Sequence, residues 1–245
     1  MLHNKNTHKN HPKTCIVTCL NAKLYAEYGH KTLPTFPSTI HKFIWSEDQI
    51  PNLDTQQLDP LFYNRNKHKT VAGGYKFDAV RFHWKVNAIY HTLPQARWLC
   101  YDSLVWVDAD TLFLKDIDTQ WFYDNIHTDD IMSYLGRKDY YYSECSLLYF
   151  NLRNKHTEQY IKEVWDYYAT NEVYKLQEWH DSYIWDYVRQ KQELEHNKKF
   201  RDLGDGIPKV PGGHISSHLY GQYFDHMKGK RKRQGKSPEN KYNKQ

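Results

Sequence analysis

Long apolar runs are missing from this chain. No stretch approaches the about 18 consecutive apolar residues that a membrane helix needs. The first thirteen residues, Met1 to Lys13, are polar and rich in His, Lys and Asn, with no apolar core. That composition argues against a secretory signal and makes a cytoplasmic location the expectation. Cysteine is scarce: Cys15, Cys19, Cys100 and Cys145, with no CxxC pair among them. With no export signal, reduced and mostly buried thiols are expected. Eleven glycines without a repeat exclude a fibre, and the hydrophobic content of 39% is too high for a disordered chain.

A large charge of one sign is also missing from the body. The net charge is +5, yet residues 1–224 carry 26 basic against 27 acidic side chains. The basicity is confined to the C-terminal end, around Lys228-Gly229-Lys230-Arg231-Lys232-Arg233. A nucleic-acid-binding fold spreads basic residues over a face of its body. Nucleic acid is therefore not expected as the main partner. The basic run suits at most a weak contact with an anionic membrane surface.

What is present is aromatic. Twenty-one Tyr, 8 Trp and 10 Phe make up 16% of 245 residues, supplying apolar area that the mean hydropathy of −0.91 undervalues. A chain of this length buries about 70–75% of its surface without disulfide or metal. Apolar, partly β-branched runs predict strands at Cys15–Leu20, Ile40–Trp45, Leu104–Val107, Ile131–Leu135 and Ser146–Phe150. Helical periodicity predicts helices over 77–90, ended by Pro94, over 157–169 and over 181–190. Residues 46–70 read as loop. Strands alternating with helices, and no linker, point to one α/β domain over residues 14–232. A disordered leader over 1–13 and a disordered basic tail over 233–245 are expected to flank it.

The strand Leu104-Val105-Trp106-Val107 runs directly into Asp108-Ala109-Asp110. In α/β sheets the carboxyl ends of strands open onto the ligand crevice. Two close carboxylates between apolar segments are costly to keep ionised there. A divalent cation resolves the conflict by supplying opposite charge and accepting oxygen ligands. The bland alternative is a turn whose acids cap the next segment, a role that suits Asp116 and Asp118.

On these residues the sequence resembles metal-dependent nucleotide-sugar glycosyltransferases of the GT-A fold, most of all glycosyltransferase family 8 and its virus- and bacterium-encoded relatives. The resemblance implies a Rossmann-like domain with a mixed central sheet flanked by helices. It implies Mn²⁺, with Mg²⁺ as a substitute, on Asp108 and Asp110, and a UDP-sugar as donor for a glycan or glycolipid acceptor. The family carries an H-x-x-G-x-x-K segment whose His is a third metal ligand and whose Lys meets the phosphates. His226 to Lys232 fits it, with Gly229 in register, whereas His218-Leu219-Tyr220-Gly221 fits only its first half; His218 and His214 stay open as alternatives to His226. The family segment usually ends in Pro-Trp, and here Arg233-Gln234 follows.

Further positions follow from the same likeness. Thr18 and Cys19 lie on the first strand, where such folds cradle the base, and Ala109 lies within the Asp-x-Asp loop. Arg81 and Lys85 share a helical face toward the nucleotide or donor sugar. Glu144 and Cys145 precede a strand that borders the acceptor site, and Trp179 and His180 precede Asp181, which matches the first acid of a segment near the reacting carbon. Asp181 is a candidate catalytic residue, the base if the transfer inverts, and also a candidate helix cap; the roles are compatible. Tyr140, Tyr141, Tyr142, Trp179 and Tyr183 are candidate aromatic platforms for sugar rings. The resemblance implies a retaining transfer.

Two other readings compete. Asp-x-Asp after a strand also occurs in haloacid-dehalogenase phosphatases, but their pattern wants Thr where Leu112 stands. A protein that binds nucleic acid or anionic membrane through residues 228–236 would ignore Mn²⁺ and lose affinity steeply with salt.

Overall fold

The computed structural model describes residues 12–69, 74–137, 142–204, 215, 219–227, 229, 231–238 and 240. The main sheet has seven strands: β1 (Thr14–Leu20), β2 (His41–Ser46), β3 (Gln56–Gln57), β4 (Ser103–Val107), β6 (Met132–Leu135), β7 (Glu144–Asn151) and β8 (Arg201–Asp202). Their order is β3-β2-β1-β4-β7-β6-β8. β3, β2, β1 and β4 run parallel, with Val17 opposite Phe43 on one side and Trp106 on the other. β7 pairs antiparallel with both β4 and β6. A separate ribbon joins β5 (Thr111–Phe113) to β9 (Phe224–His226), antiparallel, with Thr111 opposite His226.

Central strands covered on both faces read as unbroken apolar runs, which is why β1, β4 and β7 were legible. Alternation then sorts their side chains. Cys15, Val17, Leu104, Trp106, Leu148 and Phe150 face one layer, built from α4 (Ala79–Trp98), α6 (Thr157–Ala169) and α7 (Asp181–His196). Ile16, Val105, Val107, Leu147 and Tyr149 face the other, with Phe122 and Ile126 of α5 (Thr119–Ile126) and Phe113 and Phe224 of the ribbon. No helix among the described residues is long and apolar enough to cross a membrane.

Several local expectations need correction. Pro94 does not end its helix; α4 continues to Trp98. Pro94 sits on the exposed side, where water can serve the carbonyl its ring leaves without an N–H, while Leu93 and Ala96 stay in the core. Residues 22–35 are helical pieces: α1 (Ala22–Leu24), a π turn (Tyr25–Gly29), α2 (His30–Thr32) and a 3-10 turn (Leu33–Thr35). Residues 46–70 hold β3 and also α3 (Leu61–Asn66), which buries Phe62. Past β9 lies α8 (Arg231–Gln234). Beyond it, Ser237 N–H donates to Asp225 at 2.8 Å and Asn240 Nδ2 to the Gly221 carbonyl at 2.9 Å, so polar anchors order what lacks apolar pattern. The four cysteines are free, and Cys100 is exposed.

His83 of α4 carries a pH signature. It is 2% exposed, its Nδ1 lies 2.7 Å from the Val80 carbonyl, and its ring packs on Trp84 and Phe62. Burial lowers its pKa from 6.5 to about 4. The unfolded chain therefore binds the extra proton first, and folding stability falls as pH drops from 6.5 to about 4. The expected loss from this residue is about 3 kcal/mol. Urea titrations across that range, with wild type and His83→Phe, check it: the variant's stability should fall less steeply.

Candidate active site

Strand β4 delivers the first carboxylate. Asp108 follows Val107, its N–H donates to the Ser146 carbonyl of β7 at 3.0 Å, and Thr111 N–H closes a turn onto the Asp108 carbonyl at 3.0 Å. That turn swings Asp110 to the ribbon, where Met227 N–H meets the Asp110 carbonyl at 3.0 Å. Pairing of β5 with β9 brings in His226 from far along the chain. Its Nε2 stands 3.1 Å from Asp110 Oδ1 and 3.4 Å from Asp108 Oδ2. One ligand atom from each of these three side chains lies within 4.8 Å of the others, a geometry that would hold a metal ion.

The chemistry of the donor set fits a divalent cation. Two carboxylates and one imidazole are common ligands for such ions. His226 is 1% exposed, so its Nε2 is already aimed at the two acids. Among the described residues His226 is the histidine that meets Asp108 and Asp110; His218 and His214, its alternatives, lie outside them.

Among the described residues, two ammonium groups flank the acids. Lys232 of α8 places Nζ 2.8 Å from Asp110 Oδ2 and over the Tyr28 ring at 4.4 Å. Gly229, one turn earlier, has φ +57, a conformation that favours glycine. Burial alone would raise the pKa of Asp110, but His226 and Lys232 outweigh it and hold the carboxyl well below its usual range. Lys85 of α4 lies under the other acid. Its Nζ contacts Asp108 Oδ1 at 2.8 Å and Asp181 Oδ2 at 2.6 Å, and donates to the Cys145 carbonyl at 2.8 Å. Burial lowers the Lys85 pKa, and the charges of Asp108 and Asp181 more than reverse that, raising it. Trp106 Nε1 donates to Asp108 Oδ1 at 2.7 Å, and the same indole lies 5.3 Å from the Lys85 ammonium.

The remaining positions divide. Ala109 is buried in the turn, and its carbonyl accepts from Thr32 Oγ1 at 2.6 Å. Thr18 and Cys19 sit near the end of β1; Thr18 is fully buried, and burial raises the Cys19 thiol pKa. Arg81 is not drawn into the cluster. Its side chain is exposed against Phe82, one turn before Lys85. Asp181 is not the cap of α7. His180 caps it, with Nδ1 accepting from Tyr183 N–H at 3.3 Å, while Asp181 turns inward to Lys85. Burial raises the Asp181 pKa, but the Lys85 charge dominates and lowers it.

On the side expected to meet an acceptor, Glu144 and Cys145 are buried residues of β7 with no open face. Their strand is covered on both sides, so Cys145 packs in the core and Glu144 lies behind His226. His180 is also buried, with Nε2 2.8 Å from Glu178. Trp179 is half-buried against Phe77 and Tyr174. Tyr142 and Tyr183 stand edge to face at 5.2 Å; Tyr140 and Tyr141 lie outside the described residues, as do Lys228 and Lys230. Tyr28 and Glu178 were not anticipated, because neither belongs to a motif.

No protein-family model matches the chain, and no curated protein matches it. Among solved structures it is similar to a glycosyltransferase involved in the glycosylation of the major capsid of PBCV-1. That match has a TM-score of 0.50 at 12% identity, over 91% of this chain and 98% of the other. It is also similar to the Streptococcus pneumoniae glycosyltransferase GlyE (TM-score 0.44, 12% identity, 79% of this chain and 46% of that one). A third match is mouse xyloside xylosyltransferase 1 (TM-score 0.47, 11% identity, 78% and 84%). At such identities the likeness is one of fold: this chain has the architecture of a single GT-A glycosyltransferase domain, with the candidate site where β4 ends.

Proposed function

We propose that this protein is a metal-dependent glycosyltransferase that moves a sugar from a UDP-sugar to a hydroxyl of a glycan or glycolipid. The observation that carries the reading is the convergence of Asp108, Asp110 and His226 between Lys85 and Lys232 at the end of β4. Asp108, Asp110 and His226 would hold Mn²⁺, or Mg²⁺ as a poorer substitute. When bound, the cation would neutralise the donor diphosphate and the charge that develops as UDP leaves.

The chain's own groups share that task. Lys232 sits 2.8 Å from Asp110, so its ammonium would turn to pair with a phosphate oxygen arriving at the same spot. The Tyr28 face beneath it limits where it can go. Such preformed charge stabilisation is commonly the largest catalytic contribution. Gly229 lets the backbone approach the phosphates. The nucleoside would rest near the end of β1 and the β4–β5 turn, where Thr18, Cys19 and Ala109 shape the backbone around it.

The lowered pKa of Asp181 bears on the reaction type. A carboxylate held ionised by Lys85 is a weak proton acceptor. Asp181 is thereby better suited to anchoring Lys85 beside the donor sugar than to deprotonating the acceptor. That favours retention of anomeric configuration, for which no enzyme base is required. The acceptor would approach past Trp179, Tyr142 and Tyr183, with exposed Arg81 at the rim. Exposed Arg233 and Lys236 leave a secondary contact with an anionic lipid or glycan surface.

Lys232→Ala tests the phosphate assignment. Loss of one charge-assisted contact is worth about 1.5–3 kcal/mol, so UDP affinity in Mn²⁺ should fall about 10–100-fold. Isothermal titration of UDP into both proteins reads this directly. Unchanged affinity would remove Lys232 from the donor site.

A further inference from the structure

We infer that Glu144 and Arg137 form an outer shell that positions His226 for metal binding; the inference rests on the metal-site reading above. The imidazole of His226 is flanked by carboxylates at both ring nitrogens. Nε2 faces Asp110 and Asp108, and Nδ1 lies 3.4 Å from Glu144 Oε1. Glu144 is 2% exposed, on a strand whose eight residues are all buried. An ionised carboxylate in such a place needs a compensating charge. Arg137, just past β6, supplies it by pairing its guanidinium with Glu144 Oε2. The two Glu144 oxygens therefore divide their work, one toward Arg137 and one toward His226.

The consequence is tautomeric. A proton on Nδ1 is favoured by the Glu144 carboxylate, which leaves the Nε2 lone pair for a cation between Asp108 and Asp110. At 3.4 Å the Glu144 charge acts on the ring electrostatically and favours the orientation that keeps Nδ1 toward Oε1. Arg137 pairs with the other Glu144 oxygen and so aims the carboxylate. Neither residue reaches the metal position itself, so both are positioning residues. The role differs from the acceptor contact expected of Glu144 from sequence, and it follows from the antiparallel pairing of β7 with β4 beside the ribbon that carries His226.

Removal of an outer-shell partner typically costs about 10–100-fold in metal affinity. The test is titration of Mn²⁺ alone into wild type, Asp110→Asn, Glu144→Gln and Arg137→Met, reading free Mn²⁺ by electron paramagnetic resonance. Thermal melting of each in EDTA runs alongside. The expected result is that Asp110→Asn abolishes binding, while Glu144→Gln weakens it about 10–100-fold with an EDTA melting temperature near wild type. Should the single variants fail to fold, Glu144→Leu/Arg137→Met replaces the pair with apolar groups of similar size and keeps the comparison available. Wild-type affinity in Glu144→Gln or in the folded double variant, with Asp110→Asn inactive in binding, overturns the outer shell and leaves the metal site standing. No Mn²⁺ binding by wild type overturns the metal reading and this inference with it.

Discussion

Asp110→Asn is expected to abolish Mn²⁺ binding and to lower sugar transfer by about 1,000-fold or more. The substitution is nearly isosteric, so the packing of the buried β4–β5 turn is retained. What changes is charge. Asp110 is 7% exposed, and it meets both His226, at 3.1 Å, and Lys232, at 2.8 Å. The asparagine keeps one carbonyl oxygen but no longer offsets a cation. Lys232, with its side chain 17% exposed, can turn to water once its partner is neutral, so the fold should survive. Circular dichroism, Mn²⁺ titration and a transfer assay on the same preparation separate the outcomes. A folded variant that binds Mn²⁺ and transfers sugar at the wild-type rate would remove Asp110 from the site.

Lys85→Met is expected to be the most destabilising single change in the site. Lys85 bridges two acids, Asp108 and Asp181, from the buried end of α4. Removing the ammonium leaves Asp181, 4% exposed, without its main compensating charge. Breaking a buried pair in this way costs about 3–5 kcal/mol. Urea unfolding in EDTA measures it. Adding Asp181→Asn to the variant should return about 1–3 kcal/mol, since residues in contact are not additive. Mn²⁺ should also stabilise Lys85→Met more than wild type, because a cation on Asp108 replaces part of the missing charge. Strict additivity of the two substitutions would show that Lys85 and Asp181 do not act as a unit.

The parts of the site that lie close along the chain were legible in the sequence. An apolar run ending in Asp108-Ala109-Asp110 announces both a buried strand and two acids at its open end. The His226–Lys232 spacing put a histidine and a lysine in view, and β9 and α8 bring both side chains to the acids. Other features depend on pairings that no local pattern encodes. The β5–β9 ribbon sets Thr111 opposite His226 across most of the second half of the chain. Glu144 gains its place behind His226 only through the register of β7, and Tyr28 reaches Lys232 from a π turn that lacks a sequence signature. Pro94 misled for a different reason: proline breaks a helix only where its lost hydrogen bond and ring clash cannot be relieved, and on an exposed face they can. Sequence alone left Asp181 open between a site role and a helix cap; His180 takes the cap, and the Asp181 carboxylate is held by Lys85.

The central claim is a metal-dependent site for a nucleoside diphosphate at the end of β4. Calorimetric titration of UDP into the wild-type protein, in Mn²⁺ and then in EDTA, tests it most directly. The expected result is a clear binding isotherm in Mn²⁺ that is lost in EDTA. Equal binding in both conditions would contradict the metal's part in the site, and no binding in either would contradict the UDP-sugar reading itself.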